Sequence, residues 1–126
     1  MSRETAKRSR RKAEQRGRGA ELIAMLFLIA KGYRILGRRL RTAFGEVDIA
    51  ALKRGVFVIV EVKARSTRAA GVEALMPTQQ QRLERAAQAL AGRWRLMKLP
   101  MRFDVIVVGA GPLPHHVHGA WFAKGG

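Results

Sequence analysis

The residues with the most chemistry in this chain stand in two short runs, Gly45-Glu46-Val47-Asp48-Ile49-Ala50 and Val56-Phe57-Val58-Ile59-Val60-Glu61-Val62-Lys63-Ala64-Arg65. Both have the β-branched, apolar composition of strands. Side chains alternate across a strand, so Glu46 and Asp48 share one face of the first run, and Phe57, Ile59, Glu61, Lys63 and Arg65 share one face of the second. A two-residue turn at Arg54-Gly55 sets Asp48 opposite Glu61 and Glu46 opposite Lys63. A three-residue turn would set the acids against Val60 and Val62, and the alternation favours the shorter one. Two carboxylates side by side repel, and both stay ionised only beside a cation. A hard divalent ion, Mg²⁺ or Mn²⁺, meets that need because it takes carboxylate, carbonyl and water oxygens. Asp48 and Glu61 would supply two ligands and the Val62 carbonyl a third, with Lys63 beside them. The competing reading is a solvated cross-strand pair of Glu and Lys, worth only about 0.2–1 kcal/mol.

Asp48 followed after twelve residues by Glu61-Val62-Lys63 resembles the PD-(D/E)xK nuclease signature, here without its proline. Together with Arg102-Phe103-Asp104-Val105, the two runs look like the YraN-like family, small bacterial proteins regarded as predicted endonucleases, with Holliday-junction resolvases as the relatives it suggests. The resemblance runs from about Gly19 to Phe122. It implies an α/β restriction-endonuclease-like fold, a mixed central sheet flanked by helices. It also implies catalytic roles for Asp48, Glu61 and Lys63. In such nucleases a glutamate of the first helix can join the metal site, and Glu21 matches that position; Glu46 and Gln79 are secondary candidates. Two departures stand out: arginine at position 39 where the family commonly has asparagine, and glutamine at position 79 where it usually has lysine. Gln79 can hydrogen-bond a water or a phosphate but brings no charge.

Other elements must hold these residues in place. Ala20 to Lys31 carries Leu22, Ile23, Leu26, Ile29 and Ala30 at helical spacing, with Gly32 as a stop, and is expected to pack that face on the core. Glu21 near its start also suits the helix dipole. Tyr33 to Leu36 reads as the first strand. Arg38, Arg39 and Arg41 follow it, and with Arg65 and Arg68 they are candidates for gripping phosphates, which guanidinium binds in bidentate fashion. Ser66 to Glu73 reads as a mobile loop. Pro77 opens a helix with Leu83, Ala86, Ala87, Leu90, Ala91 and Trp94 on its sheet-packing face. Gln79 sits at its entrance. Met101 to Val108 is a strand with Phe103, Val105 and Val107 on one side, and Asp104 on the other as a structural partner for Arg102. A short last strand spans Val117 to Phe122.

The chain has 126 residues and forms one domain, with a formal net charge of +16 and no cysteine. Disulfides and thiolate metal sites are excluded, and the charge points to a polyanion, nucleic acid ahead of an anionic membrane. Residues 1–18 hold eight Lys or Arg against two Glu and almost nothing apolar, which reads as a flexible basic arm. The apolar run Leu22 to Ala30 is too short to span a bilayer and makes a poor signal peptide, so a cytoplasmic location is expected. Val108-Gly109-Ala110-Gly111 imitates the opening of a dinucleotide-binding fold, but the third glycine, the following helix and the later acid are missing. His115, His116 and His118 are a weak zinc signal.

The expected organisation is a basic arm at 1–18, an endonuclease-like domain at 19–122 and a tail at 123–126. The expected function is Mg²⁺- or Mn²⁺-dependent hydrolysis of DNA phosphodiesters, with selectivity for branched DNA implied by the resemblance. The partner is DNA, with no membrane and no dinucleotide, and a homodimer is left open. A non-catalytic nucleic-acid-binding protein on the same fold is the alternative, and a basic adaptor for an acidic protein is the third class.

Overall fold

A computed structural model describes residues 2–73 and 77–121. Phe122 and the tail at 123–126 lie outside the described residues. The elements run α1 (Arg3–Ala30), β1 (Arg34–Thr42), β2 (Gly45–Lys53), β3 (Val56–Ala64), α2 (Arg68–Glu73), α3 (Pro77–Trp94), β4 (Met101–Val108) and β5 (His115–Trp121). The strands form one sheet in the order β1-β2-β3-β4-β5. β3 and β4 are parallel, joined by the crossover through α2 and α3, and the other neighbours are antiparallel. The architecture is therefore mixed α/β, an open five-stranded sheet with helices on both faces.

Two apolar layers hold it together. Phe57 and Ile59 of β3 and Phe103, Val105 and Val107 of β4 pack against Leu83, Ala86, Ala87, Leu90 and Ala91 of α3, the face that the sequence predicts. On the other side Val58, Val60 and Ile106 meet Ala24 and Leu28 of α1. The α2 segment packs on β4 and β3, and its Gly71 lies so close to Val107 that an added Cβ would stand 2.4 Å from that side chain.

The structure corrects the expected packing of α1. Leu22, Ile23, Leu26 and Ile29 point outward with 44–57% exposure, and the buried face is instead Ala20, Ala24 and Leu28 with Glu21. Ala20, Ala24 and Leu28 also recur at four-residue spacing, and the two alanines leave room for the helix to lie close on the sheet. The same helix extends back to Arg3, through the segment whose composition reads as an arm. Its residues are good helix formers, and the Ser2 hydroxyl caps the start by accepting the Thr5 N–H. The expected loop at Ser66–Glu73 contains α2, nucleated where the Thr67 hydroxyl accepts the Ala70 N–H. Strand β1 continues past Leu36 to Thr42, so Arg38, Arg39 and Arg41 belong to it. No helix among the described residues is long and apolar enough to cross a membrane.

Candidate active site

The turn between β2 and β3 sets the position of the carboxylates. Lys53 pairs with Val56 across a two-residue turn in which Arg54 and Gly55 both have positive φ, 49° and 78°. That is the turn geometry whose twist matches an antiparallel pair, and it places Ile49 opposite Val60. Carried one residue further, the register sets Asp48 across from Glu61, as the short turn predicts.

The ladder between the two strands stops at Ile49 and Val60, although β2 stays paired with β1 out to Gly45 and β3 with β4 out to Ala64. The sheet thus forks. At the same place β2 breaks its alternation: Val47 and Ala50, three residues apart, both belong to the layer beneath α3. Asp48 sits on this step, and its Oδ2 accepts the Val62 N–H at 2.8 Å, a side chain closing the ladder where the backbone has left it. Val62 thus meets Asp48 directly, through its amide.

Four carboxylates line the fork. Ligand oxygens of Glu21, Glu46 and Asp48 lie within 4.8 Å of one another, so α1 and β2 converge here. Glu61 is 8% exposed; its Oε1 is 3.5 Å from the Lys63 ammonium, and its Oε2 is buried with no hydrogen-bond partner. Burial and the neighbouring Glu61 charge push the Asp48 carboxyl up to about 7, opposed by the Val62 N–H and Lys63. Near neutral pH this pair carries less than its full negative charge unless a cation joins it. Glu46, a secondary candidate from sequence, thus sits in the group of three with Asp48 and Glu21.

A second cation at the fork, besides Lys63, is Arg39. Its Nε donates to Glu21 Oε2 at 2.6 Å, and it falls on β1 across from Asp48, between the pairs Arg38 to Ile49 and Leu40 to Val47. Its φ of 51° lies in the left-handed region, where asparagine is far better tolerated than arginine. The asparagine that the resemblance expects at this position fits that backbone. Glu21 and Arg39 are 18 residues apart, and neither the helix period nor the strand period of the sequence signals their meeting.

The remaining candidates are spread more widely. Arg38, Arg41, Arg65 and Arg68 have exposed side chains. The Arg65 guanidinium turns back to the Ala64 carbonyl, at 2.8 Å. Gln79, at the entrance of α3, has its Oε1 buried without a partner. Two arginines that the sequence reading passed over, Arg82 and Arg93 of α3, fasten the β1–β2 hairpin by donating to the Glu46 and Arg41 carbonyls at 3.1 and 3.3 Å. Asp104 has the structural role expected of it. Fully buried, it receives Arg102 on both oxygens at 2.9 Å, His116 Nε2 at 2.7 Å and the Gly119 N–H at 2.9 Å. These donors hold its carboxyl down at about 2 against the effect of burial.

Residues 20–108 match the model of the Uncharacterised protein family UPF0102. The chain belongs to this family. A UPF0102 protein of Maricaulis maris is 47% identical over 115 residues, covering 90% of this chain and 91% of that one. Another, of Caulobacter vibrioides, is 48% identical over 110 residues, 86% and 88% of the two chains. A third, of Agrobacterium fabrum, is 44% identical over 108 residues, 85% and 88%. The span that matches the UPF0102 model includes every carboxylate of the fork, Lys63, Arg39 and Gln79, and it ends before β5.

Proposed function

We propose that this protein is a metal-dependent endonuclease that hydrolyses DNA phosphodiesters, with its site in the fork of a restriction-endonuclease-like fold. The observation that carries the proposal is the convergence of Glu21, Glu46 and Asp48 beside Glu61, whose Oε2 is buried without a partner. A buried carboxylate oxygen without a donor is costly, and a cation offsets that cost. The donor set is all oxygen, which fits Mg²⁺ or Mn²⁺ rather than a thiophilic metal. Asp48, Glu61, Glu21 and Glu46 would hold the ion. When bound, it would polarise the phosphate and lower the pKa of an attacking water.

The chain's own residues supply the rest. Lys63, beside Glu61, orients the water that attacks phosphorus and steadies charge on the phosphate oxygens as the bond to the leaving oxygen breaks. The Val62 N–H fixes the Asp48 carboxylate. The net charge of +16 draws the polyanion to the surface by a sequence-independent attraction. Selectivity for branched DNA is part of the proposal.

A second reading is a nucleic-acid-binding protein without turnover. It is favoured by Arg39, which already neutralises Glu21, and by the uncharged Gln79. Incubation of supercoiled, linear and four-way-junction DNA with Mg²⁺, Mn²⁺ or chelator separates the two. The nuclease reading expects cleavage with metal that is lost in Glu61→Gln and Lys63→Ala. Binding of all three DNAs with no cleavage in either metal assigns the protein to the second reading.

A further inference from the structure

A second cluster of ionisable groups lies at the far end of α1, between β2, β4 and β5. The Lys31 ammonium, which can only donate, gives hydrogen bonds to His116 Nδ1 at 2.7 Å and His118 Nε2 at 3.4 Å. His116 Nδ1 therefore accepts, its proton sits on Nε2, and that proton goes to Asp104 Oδ2 at 2.7 Å. The side chain of His116 is 3% exposed and that of Asp104 fully buried, so the support beneath Lys31 is rigid. The two imidazoles stack with centroids 3.8 Å apart, and the ammonium lies 5.1 Å from the Phe27 ring centroid. Lys53 is held in a similar way. Its ammonium donates to the Lys31 carbonyl and sits 4.6 Å from the centre of the Tyr33 ring.

The charges of this cluster do not balance. Asp104 is its only acid, and the Arg102 guanidinium already neutralises it in a two-point pair, with a further bond from Arg102 to the Tyr33 hydroxyl at 2.6 Å. Among the described residues neither Lys31 nor Lys53 has an acidic partner within ion-pair distance. Lys31 is in fact pushed toward its neutral form, by burial first and then by the charge of Lys53. A lysine kept only for solubility extends into water and keeps its rotamer freedom. Here the Lys53 ammonium is tied to the Lys31 carbonyl and the Lys31 ammonium to two imidazoles, which costs entropy, and the Lys53 charge acts against that of Lys31. An anion bound by both relieves that repulsion, and the ordering has been completed before it arrives.

We propose that Lys31 and Lys53 form a preorganised phosphate site, distinct from the carboxylate fork, that takes a phosphodiester of the nucleic-acid backbone. This rests on the nucleic-acid reading given above. Lys31 follows Glu21 by ten residues on or at the end of one helix, a separation of about 15 Å along its axis, or roughly four to five nucleotide steps of a duplex. A short stretch of DNA is long enough to cover the distance between the fork and the lysine pair. His118, His116 and Asp104 act as positioning residues for Lys31.

The test is the salt dependence of DNA binding, measured by fluorescence anisotropy on a labelled duplex in chelator, where cleavage does not interfere. Removing one phosphate-binding charge should lower the slope of log K against log salt by about 0.9, so Lys31→Met/Lys53→Met should be shallower than the parent by about 1.8. Lys31→Arg/Lys53→Arg should keep most of the slope. Lys98→Met, which removes an exposed lysine elsewhere, should leave it unchanged. His118→Ala keeps both charges but frees Lys31, so binding should weaken with little change of slope; parent affinity in this variant would remove the positioning role. Melting curves confirm that each variant is folded. If the parent binds no DNA, the nucleic-acid reading fails and this site with it. If the parent binds but the double methionine variant matches it or merely matches Lys98→Met, only the site fails. Saturable binding of inorganic phosphate that the double variant loses, with DNA slopes unchanged, would assign the lysines to free phosphate and overturn the backbone assignment.

Discussion

Asp48→Asn should make the metal-free protein more stable at neutral pH while removing its response to metal. The Asp48 carboxyl is raised from an ordinary 3.8 to about 7, by burial first and by Glu61 second. For an acid raised on folding, the folded state is penalised once the group must ionise. The penalty is absent below pH ~4, grows between pH ~4 and 7 and is complete above pH 7. About three pKa units at about 1.36 kcal/mol each give a penalty of about 4 kcal/mol at pH 8. Asparagine escapes it. Its Oδ1 can still accept the Val62 N–H, and its amide can donate to Glu61, which the ionised carboxylate cannot do. On a chain of this size a gain of that order raises Tm by roughly 10–20 °C. Thermal unfolding of parent and variant in chelator, from pH 4 to 8, should show two curves that separate as pH rises. Adding Mg²⁺ or Mn²⁺ at pH 8 should raise the parent's Tm and leave the variant's where it was, while DNA affinity stays the same. An Asp48→Asn protein that is less stable than the parent at pH 8, or a difference that does not change with pH, would refute the account of a strained carboxylate pair.

Three further outcomes are expected. Arg39→Asn frees Glu21 from its ion pair and suits the positive φ at that position, so Mn²⁺ titrations followed by Tm should show tighter metal binding; equal or weaker binding would mean that Arg39 does not compete for the carboxylate. Asp104→Asn leaves Arg102 and His116 without their buried anion and should cost roughly 3–5 kcal/mol in urea unfolding at pH 7. Because the Asp104 carboxyl is lowered to about 2, its contribution is present above pH ~4 and is lost as pH falls toward 2, so parent and variant should converge in acid. Leu90→Asp puts a charge into a fully buried position among Phe57, Ile59 and Leu83 and should abolish cooperative unfolding by circular dichroism, whereas Leu90→Ala should cost about 2–5 kcal/mol and remain folded.

Much of this protein could be read from local spacing, because the quantities involved are short-range. The two residues between Lys53 and Val56 and the period of two in the flanking runs determined the register that sets Asp48 against Glu61. The apolar period of α3 determined its buried face, and alternation in β4 put Asp104 and Phe103 on opposite sides. In α1 the same method failed, since both faces carry apolar residues at helical spacing. Which face turns inward depends on how closely the helix can approach the sheet, and only in three dimensions do the small side chains of Ala20 and Ala24 win over the larger Leu22 and Leu26. The fork itself was not legible either. It arises where β2 follows β1 and β3 follows β4 beyond Ile49 and Val60, so its opening is a property of four strands together. Tertiary structure alone also brought Arg39 to Glu21 across 18 residues and Lys31 to His116 across 85, because a charge chooses its partner by distance in space and burial, which no periodicity along a chain encodes.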